Sequence, residues 1–306
     1  MAPKITSTSA AVAASGFLES EIAYARALRA LVAGSERLHY FGFDLDMFPG
    51  SGIEDARARL AGVPEAEQLA LALEDAWSAE QPVEDLFALL DELDGPDSAL
   101  AGALPPERRR ELVLDLHGLA ESLRFRAKPD GTRGDVAGLL EAYARRERAM
   151  FRLFDAYVER VPAGEGVVLT GHNMHLGRSW EGVRWIEIGS IVPVPLWPTI
   201  GAHVSERFGD EVFAVWMIYD HGRHLTAGGS RESRSVGSVT GTVESLLARL
   251  PHDALLLPLA SDDPRAAWLD EERTYRVNGG VGWGRLRTLT DALFFVREVT
   301  PPRVER

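Results

Sequence analysis

The chain contains no cysteine among its 306 residues, which removes disulfides, thiolate metal sites and cysteine nucleophiles at once. Positive charge is also short: 33 Lys and Arg stand against 46 Asp and Glu, for a formal net charge of -13. Such a surface repels phosphate backbones and anionic lipid head groups, so neither nucleic acid nor a membrane surface is an expected partner. No apolar run is long enough to span a bilayer, and the opening "MAPKITSTSAAVAASGFLESE" has no continuous apolar core of signal-peptide length. These features predict a cytoplasmic location. Several catalytic signatures are missing as well: no G-x-S-x-G elbow, no H-E-x-x-H and no complete P-loop. The cluster "GGVGWGR" (279–285) has the wrong spacing for a dinucleotide fingerprint and reads as a flexible loop.

What is present is ample apolar content, 45% of residues, enough for a substantial core. Residues 17–33 carry apolar side chains at helical spacing, and "LHYFGFDLD" (38–46) then reads as a short strand with an acidic end. From about 53 to 160 nearly everything has helical period, punctuated by Gly and Pro. After it, "GVVLTG", "EVFAVWMIYD", "ALLLPLA" and "ALFFVRE" have the look of strands in a sheet covered on both faces. The pattern predicts an α/β fold: one domain over 1–306 with a helical insertion or lid at 53–160. The Gly- and Ser-rich segment 225–242 reads as a mobile loop.

The main chemical lead is "VVLTGHNMHLGR" (167–178), where two histidines three positions apart follow an apolar run. Ligands in open α/β sheets bind beyond the carboxyl ends of strands, which is where this motif falls if the run is a strand. A helical turn after Gly171 puts His172 and His175 on one face, with the Asn173 amide nearby. The pair can exchange protons near neutral pH or hold an oxyanion. Equally, one ring can cap a chain end while the other sits at the surface.

A second lead is Glu147, which falls on the apolar stripe Leu140, Tyr143, Met150, Phe154 and Tyr157. A carboxylate there needs a partner. Arg145 or Arg146 can supply one locally, and the His172 region is the functional alternative. Asp220, His221 and His224 in "YDHGRHL" offer a carboxylate with two imidazoles, but no further ligand is spaced for a first-row metal. His39, His117, His203 and His252 stand alone and read as structural. Trp180, Trp185, Trp197 and Trp216 cluster around the motif as pocket walls or as ordinary core.

Taken in order, "FGFDLD", "RRERAMFRLFDAYVERVPAGEGVVLTGHNMHLGR", "TIGAHVSERFGDEVFAVWMIYDHG" and "LTDALFFVREVTPP" resemble the erythromycin esterase family. Its members share a Gly-Phe-Asp strand end, an Arg-Asp pair before a Met-containing helix, and His-Asn-x-His after a strand. The resemblance implies a three-layer α/β/α arrangement around a mixed, largely parallel sheet, and hydrolysis of an ester or macrolactone by water with no cofactor. By position, His172 and His175 match the motif histidines, Asp44 the strand-end aspartate, and Arg146 with Glu147 the Arg-Asp pair.

Those matches make His172, His175 and Glu147 the expected catalytic residues, with Asp44, Arg146, Asn173 and Arg178 expected to bind an apolar substrate such as a polyketide or peptide. The family's opening Gly-Glu-x-x-His-Gly, whose histidine is assigned as the general base, has no counterpart here. This implies either a longer chain carrying that motif or a divergent member using the remaining site differently. A biosynthetic cyclisation or dehydration, or ligand binding without turnover, are the competing expectations. A sheet short of strands would expose an edge, so a homo-oligomer is also expected.

Overall fold

The computed structural model describes residues 104–126, 135–159, 161–162, 164–186, 193–225, 233–277 and 280–300, with Ala30 and scattered positions between 71 and 91. The chain forms two compact units, one of Met1–Gly42, His172–Leu196 and Phe208–Arg306, the other of Phe43–Gly171 and Trp197–Arg207.

The described part of the second unit is helical. Helix α1 (Pro106–Arg126) buries Leu112, Leu116, Leu119 and Ala120 at spacings of three and four, the signature of a single packed face. Helix α2 (Val136–Val158) starts at Asp135, whose carboxylate accepts the Gly138 N–H at 2.9 Å and satisfies one orphan donor of the first turn. Its buried face runs through Leu139, Ala142, Arg146, Met150 and Phe154, one position round from the stripe read in the sequence, and Glu147 lies on it too. Between this helix and the histidine motif, residues 166–171 are not paired in any sheet, and Val168 is 89% exposed. The apolar run therefore corrects the expected buried strand: its composition suits a sheet, but among the described residues no ladder partner stands beside it.

In the first unit the histidine motif opens on the single-turn helix α3 (Asn173–Leu176). Strands β1 (Arg184–Ile186) and β2 (Val194–Pro195) follow. Helix α4 (Ile200–Phe208), which up to Arg207 belongs to the second unit, leads back into the first with β3 (Val215–Leu225) and β4 (Ser233–Val236), α5 (Val243–Leu247) and β5 (Ala254–Pro258). The chain closes with β6 (Glu272–Val277), β7 (Gly280–Arg285), α6 (Leu286–Leu289) and β8 (Ala292–Val299).

Among the described residues two four-stranded sheets result, in the orders β2-β1-β7-β6 and β4-β3-β8-β5. The first is antiparallel throughout; in the second, only β3 and β8 run parallel. The helices and sheets agree with an α/β fold, but parallel pairing does not predominate among the described residues. Most neighbouring strands here meet antiparallel, with β6 and β7 forming a tight hairpin rather than being joined through a crossover helix.

Two segments expected as loops contribute strands. Ser233–Val236 pairs with the end of β3, and "GGVGWGR" supplies β7. A Cβ on Gly282 would lie 2.7 Å from the Tyr275 ring, so glycine lets the ring of β6 lie flat on β7. In the β3–β8 sheet, Trp216, Ile218, Leu293 and Phe295 are buried on one face. The opposite face carries Val215, Met217 and Leu256, all exposed. No described helix is long and apolar enough to cross a membrane.

Candidate functional site

His172 precedes the first turn of α3 in an extended conformation and is its N-cap. Its Nδ1 accepts the Met174 N–H at 3.2 Å. An imidazole nitrogen that accepts from an amide carries no proton, so the neutral ring holds its hydrogen on Nε2 and presents a donor there. The His175 ring stands edge-on to the His172 ring, with centroids 6.2 Å apart and planes at 75°. The one-face arrangement expected from the spacing is thus present.

Asn173 is not turned toward solvent. Its Nδ2 donates to the Met217 carbonyl at 2.7 Å and its Oδ1 accepts the Met217 N–H at 3.3 Å, so the amide pairs with β3 as a strand residue would. Arg178, just beyond the helix, forms an ion pair with Asp291, and its own N–H donates to Leu289 O at 2.9 Å. Asp291 Oδ2 also accepts the Ala214 N–H at 2.7 Å, which fixes the starts of β3 and β8 together. Asn173 and Arg178, expected to bind substrate, thus anchor the histidine helix to the sheet.

Glu147 lies in the second unit, fully buried. Its Oε1 accepts the Trp197 indole N–H at 3.2 Å and its Oε2 accepts the Ile200 N–H, the first of α4, at 2.9 Å. Two donors, an indole and a backbone N–H, thus hold the carboxylate at a helix start. Tyr143, one turn back, stacks on Trp197 at 4.2 Å between centroids. Arg146 is buried with its guanidinium 5.2 Å from the Phe125 ring centre, a cation–π contact. Asp44 lies outside the described residues.

The remaining leads separate. Trp185, Trp197 and Trp216 are core residues and Trp180 is exposed. Burial lowers the His203 pKa, with the nearby Glu206 opposing it, consistent with a structural role. Among the described residues no three His, Asp or Glu side chains converge as a metal site. Asp220 is buried, and its Oδ1 accepts the Ser238 hydroxyl at 2.7 Å while Oδ2 meets His221 Nδ1 at 2.9 Å. Sequence reading weighed these residues only as metal ligands and missed Ser238, which is 18 positions away and carries no local signal.

A profile of the erythromycin esterase family matches residues 22–299, and the chain belongs to that family. At this level the family points to hydrolase-type chemistry. None of the curated proteins matches the sequence. Among solved structures, the chain is similar to a Bacillus cereus protein at 15% identity and a TM-score of 0.64, covering 94% of this chain and 74% of that one. It is also similar to a succinoglycan biosynthesis protein at 13% identity and a TM-score of 0.66, covering 94% and 72%. Identities this low speak to fold alone.

Proposed function

We propose that the protein is a hydrolase of a carboxylic ester or macrolactone, with the chemistry centred on His172 and His175. The observation that carries this reading is the Nδ1 cap bond of His172. It fixes the tautomer, so Nε2–H is a standing donor for the oxyanion that forms when water attacks a carbonyl. His175, one helical turn away, takes the proton from that water and returns it to the leaving alkoxide. The cap bond commits one ring as donor while its neighbour stands edge-on to it, so the two histidines are not equivalent.

Asn173 and Arg178 act as positioning residues for this pair, through Met217 and Asp291. Glu147 and Arg146 serve by holding α2 and α4 in their own unit. Family membership supports water-driven hydrolysis. An apolar body such as a polyketide or peptide is the substrate class we favour, and self-association through a sheet edge belongs to the same reading.

Turnover of a panel of macrolactones and simple esters tests the proposal. We expect saturable hydrolysis by the native chain and a loss of roughly 10²–10⁴-fold in His175→Ala, the usual worth of one acid–base group. Binding without turnover would replace it with a ligand-binding role, and ring closure or loss of water from the same substrates with a biosynthetic one.

A further inference from the structure

On the exposed face of the β3–β8 sheet lies a second group of residues that the His172–His175 pair does not use. Side chains alternate along β3, and its ladder with β8 is regular from Val215 to Gly222, so Val215, Met217, Tyr219 and His221 share one face. Trp216, Ile218 and Asp220, on the other face, are buried. In register with Met217 stand Phe294 of β8 and, beyond it, Leu256 of β5. Met217 is 65% and Leu256 60% exposed, so an apolar row crosses three strands in the open. At one end of this surface the His221 side chain is 40% exposed.

The chemistry at that end is ordered. An ionised carboxylate can only accept, so Asp220 Oδ2 receives the Nδ1–H of His221 at 2.9 Å. Ser238 Oγ donates to the other oxygen at 2.7 Å, and Arg276 Nη1 donates to the Asp220 carbonyl at 2.6 Å and to Gly237 O at 3.0 Å. The aspartate is thus buried and held through both oxygens. Gly222 follows at φ +130°, where a Cβ would meet the Val299 carbonyl at 2.1 Å, so the backbone beside the pair admits no other residue without moving. His221 is held in the tautomer opposite to that of His172, which leaves the lone pair on Nε2.

We propose that Asp220 and His221 form a second proton-transfer site, one that hydrolyses esters whose long apolar acyl chain runs from His221 along β3 toward Met217 and Leu256. His221 Nε2 takes a proton from water as the water oxygen bonds to the carbonyl carbon. The imidazolium then returns that proton to the alkoxide as the C–O bond breaks, giving an acid and an alcohol. Asp220 is a positioning residue: it holds the tautomer and stabilises the imidazolium. Four strand residues, about 13 Å, separate His221 from Met217, where Asn173 docks the other histidine pair.

The test is hydrolysis of p-nitrophenyl esters from acetate to palmitate by the full chain and by His221→Ala, Asp220→Asn, Ser238→Ala and Met217→Lys. Saturable turnover that improves with acyl length and falls roughly 10²-fold or more in His221→Ala is expected. Asp220→Asn should fall comparably and shift the acid limb of the pH profile, which a merely structural aspartate would not do. Met217→Lys should raise KM for the long esters while sparing kcat. Turnover in His221→Ala equal to that of the native chain, or a non-saturable rate indifferent to acyl length and to Asp220→Asn, would overturn the proposal.

Should Asp220→Asn fail to fold, the proton position on His221, read by nitrogen-detected NMR of the native protein, decides instead. Nδ1–H is required, and Nε2–H contradicts it. Because His221→Ala leaves His172 and His175 in place, failure here is distinguishable from failure of the macrolactone reading.

Discussion

Asn173 and Met217 are joined by two hydrogen bonds, with the side-chain amide of one engaging both the N–H and the C=O of the other. The single-turn helix that carries both motif histidines is fastened to β3 through this pair, 44 residues apart in sequence. Asn173→Ala removes both bonds from a partly solvated strand edge. We expect a loss of about 1–2 kcal/mol in urea unfolding and a larger proportional loss in turnover, because helix placement suffers before the fold does. Equal loss in both would mean the bond serves stability alone.

The two histidines with fixed Nδ1 partners should hold opposite tautomers. His172 accepts at Nδ1 and His221 donates there. In nitrogen-detected spectra at mildly alkaline pH, His172 is expected as Nε2–H and His221 as Nδ1–H. A shared tautomer would contradict one of the two sites.

Glu147→Ala strands the Trp197 indole and the Ile200 N–H in a buried setting. Each unsatisfied donor costs about 1–3 kcal/mol, so the midpoint of denaturation should fall sharply and the fluorescence of Trp197 should change. Glu147→Gln keeps one acceptor oxygen and should lie between the two. A near-neutral Glu147→Ala would refute the anchoring role.

Glu244 gives a pH dependence of defined sign. It is buried, and its Oε1 accepts the Arg276 N–H at 3.0 Å. Burial raises its pKa above the ordinary 4.5, with the hydrogen bond from Arg276 opposing. The folded state then holds the proton more tightly than the unfolded chain does. Its contribution is fully present below the unfolded value and is lost as pH rises through the folded one. Glu244→Gln should flatten that decline and raise the melting temperature at neutral pH relative to the native protein. A steeper decline in the variant would contradict the assignment.

How far the sequence reached depends on the range of the interactions. "EVFAVWMIYD", "ALLLPLA" and "ALFFVRE" read as strands and are strands, because β-rich apolar runs bounded by turns carry their own signal. "GVVLTG" has the same composition and forms none, since pairing depends on a neighbour that local pattern does not reveal. "GGVGWGR" was hidden for the opposite reason: its glycines make room for Tyr275, a residue of the facing strand. The His172–His175 spacing was legible, whereas the cap that fixes the tautomer of His172 depends on backbone angles. Glu147 showed its need for a partner, but not that Trp197 and Ile200, some fifty residues on, supply it.

The measurement that bears most directly on the central claim is kcat/KM for ester hydrolysis by His172→Asn. Asparagine is itself a good N-cap, so the variant keeps the bond to Met174 and the fold, while its shorter amide cannot place an N–H where His172 Nε2 stands. A drop of roughly 10²-fold or more at unchanged thermal stability is what an oxyanion donor predicts. Full activity in a folded His172→Asn protein would show that His172 is a cap and nothing more.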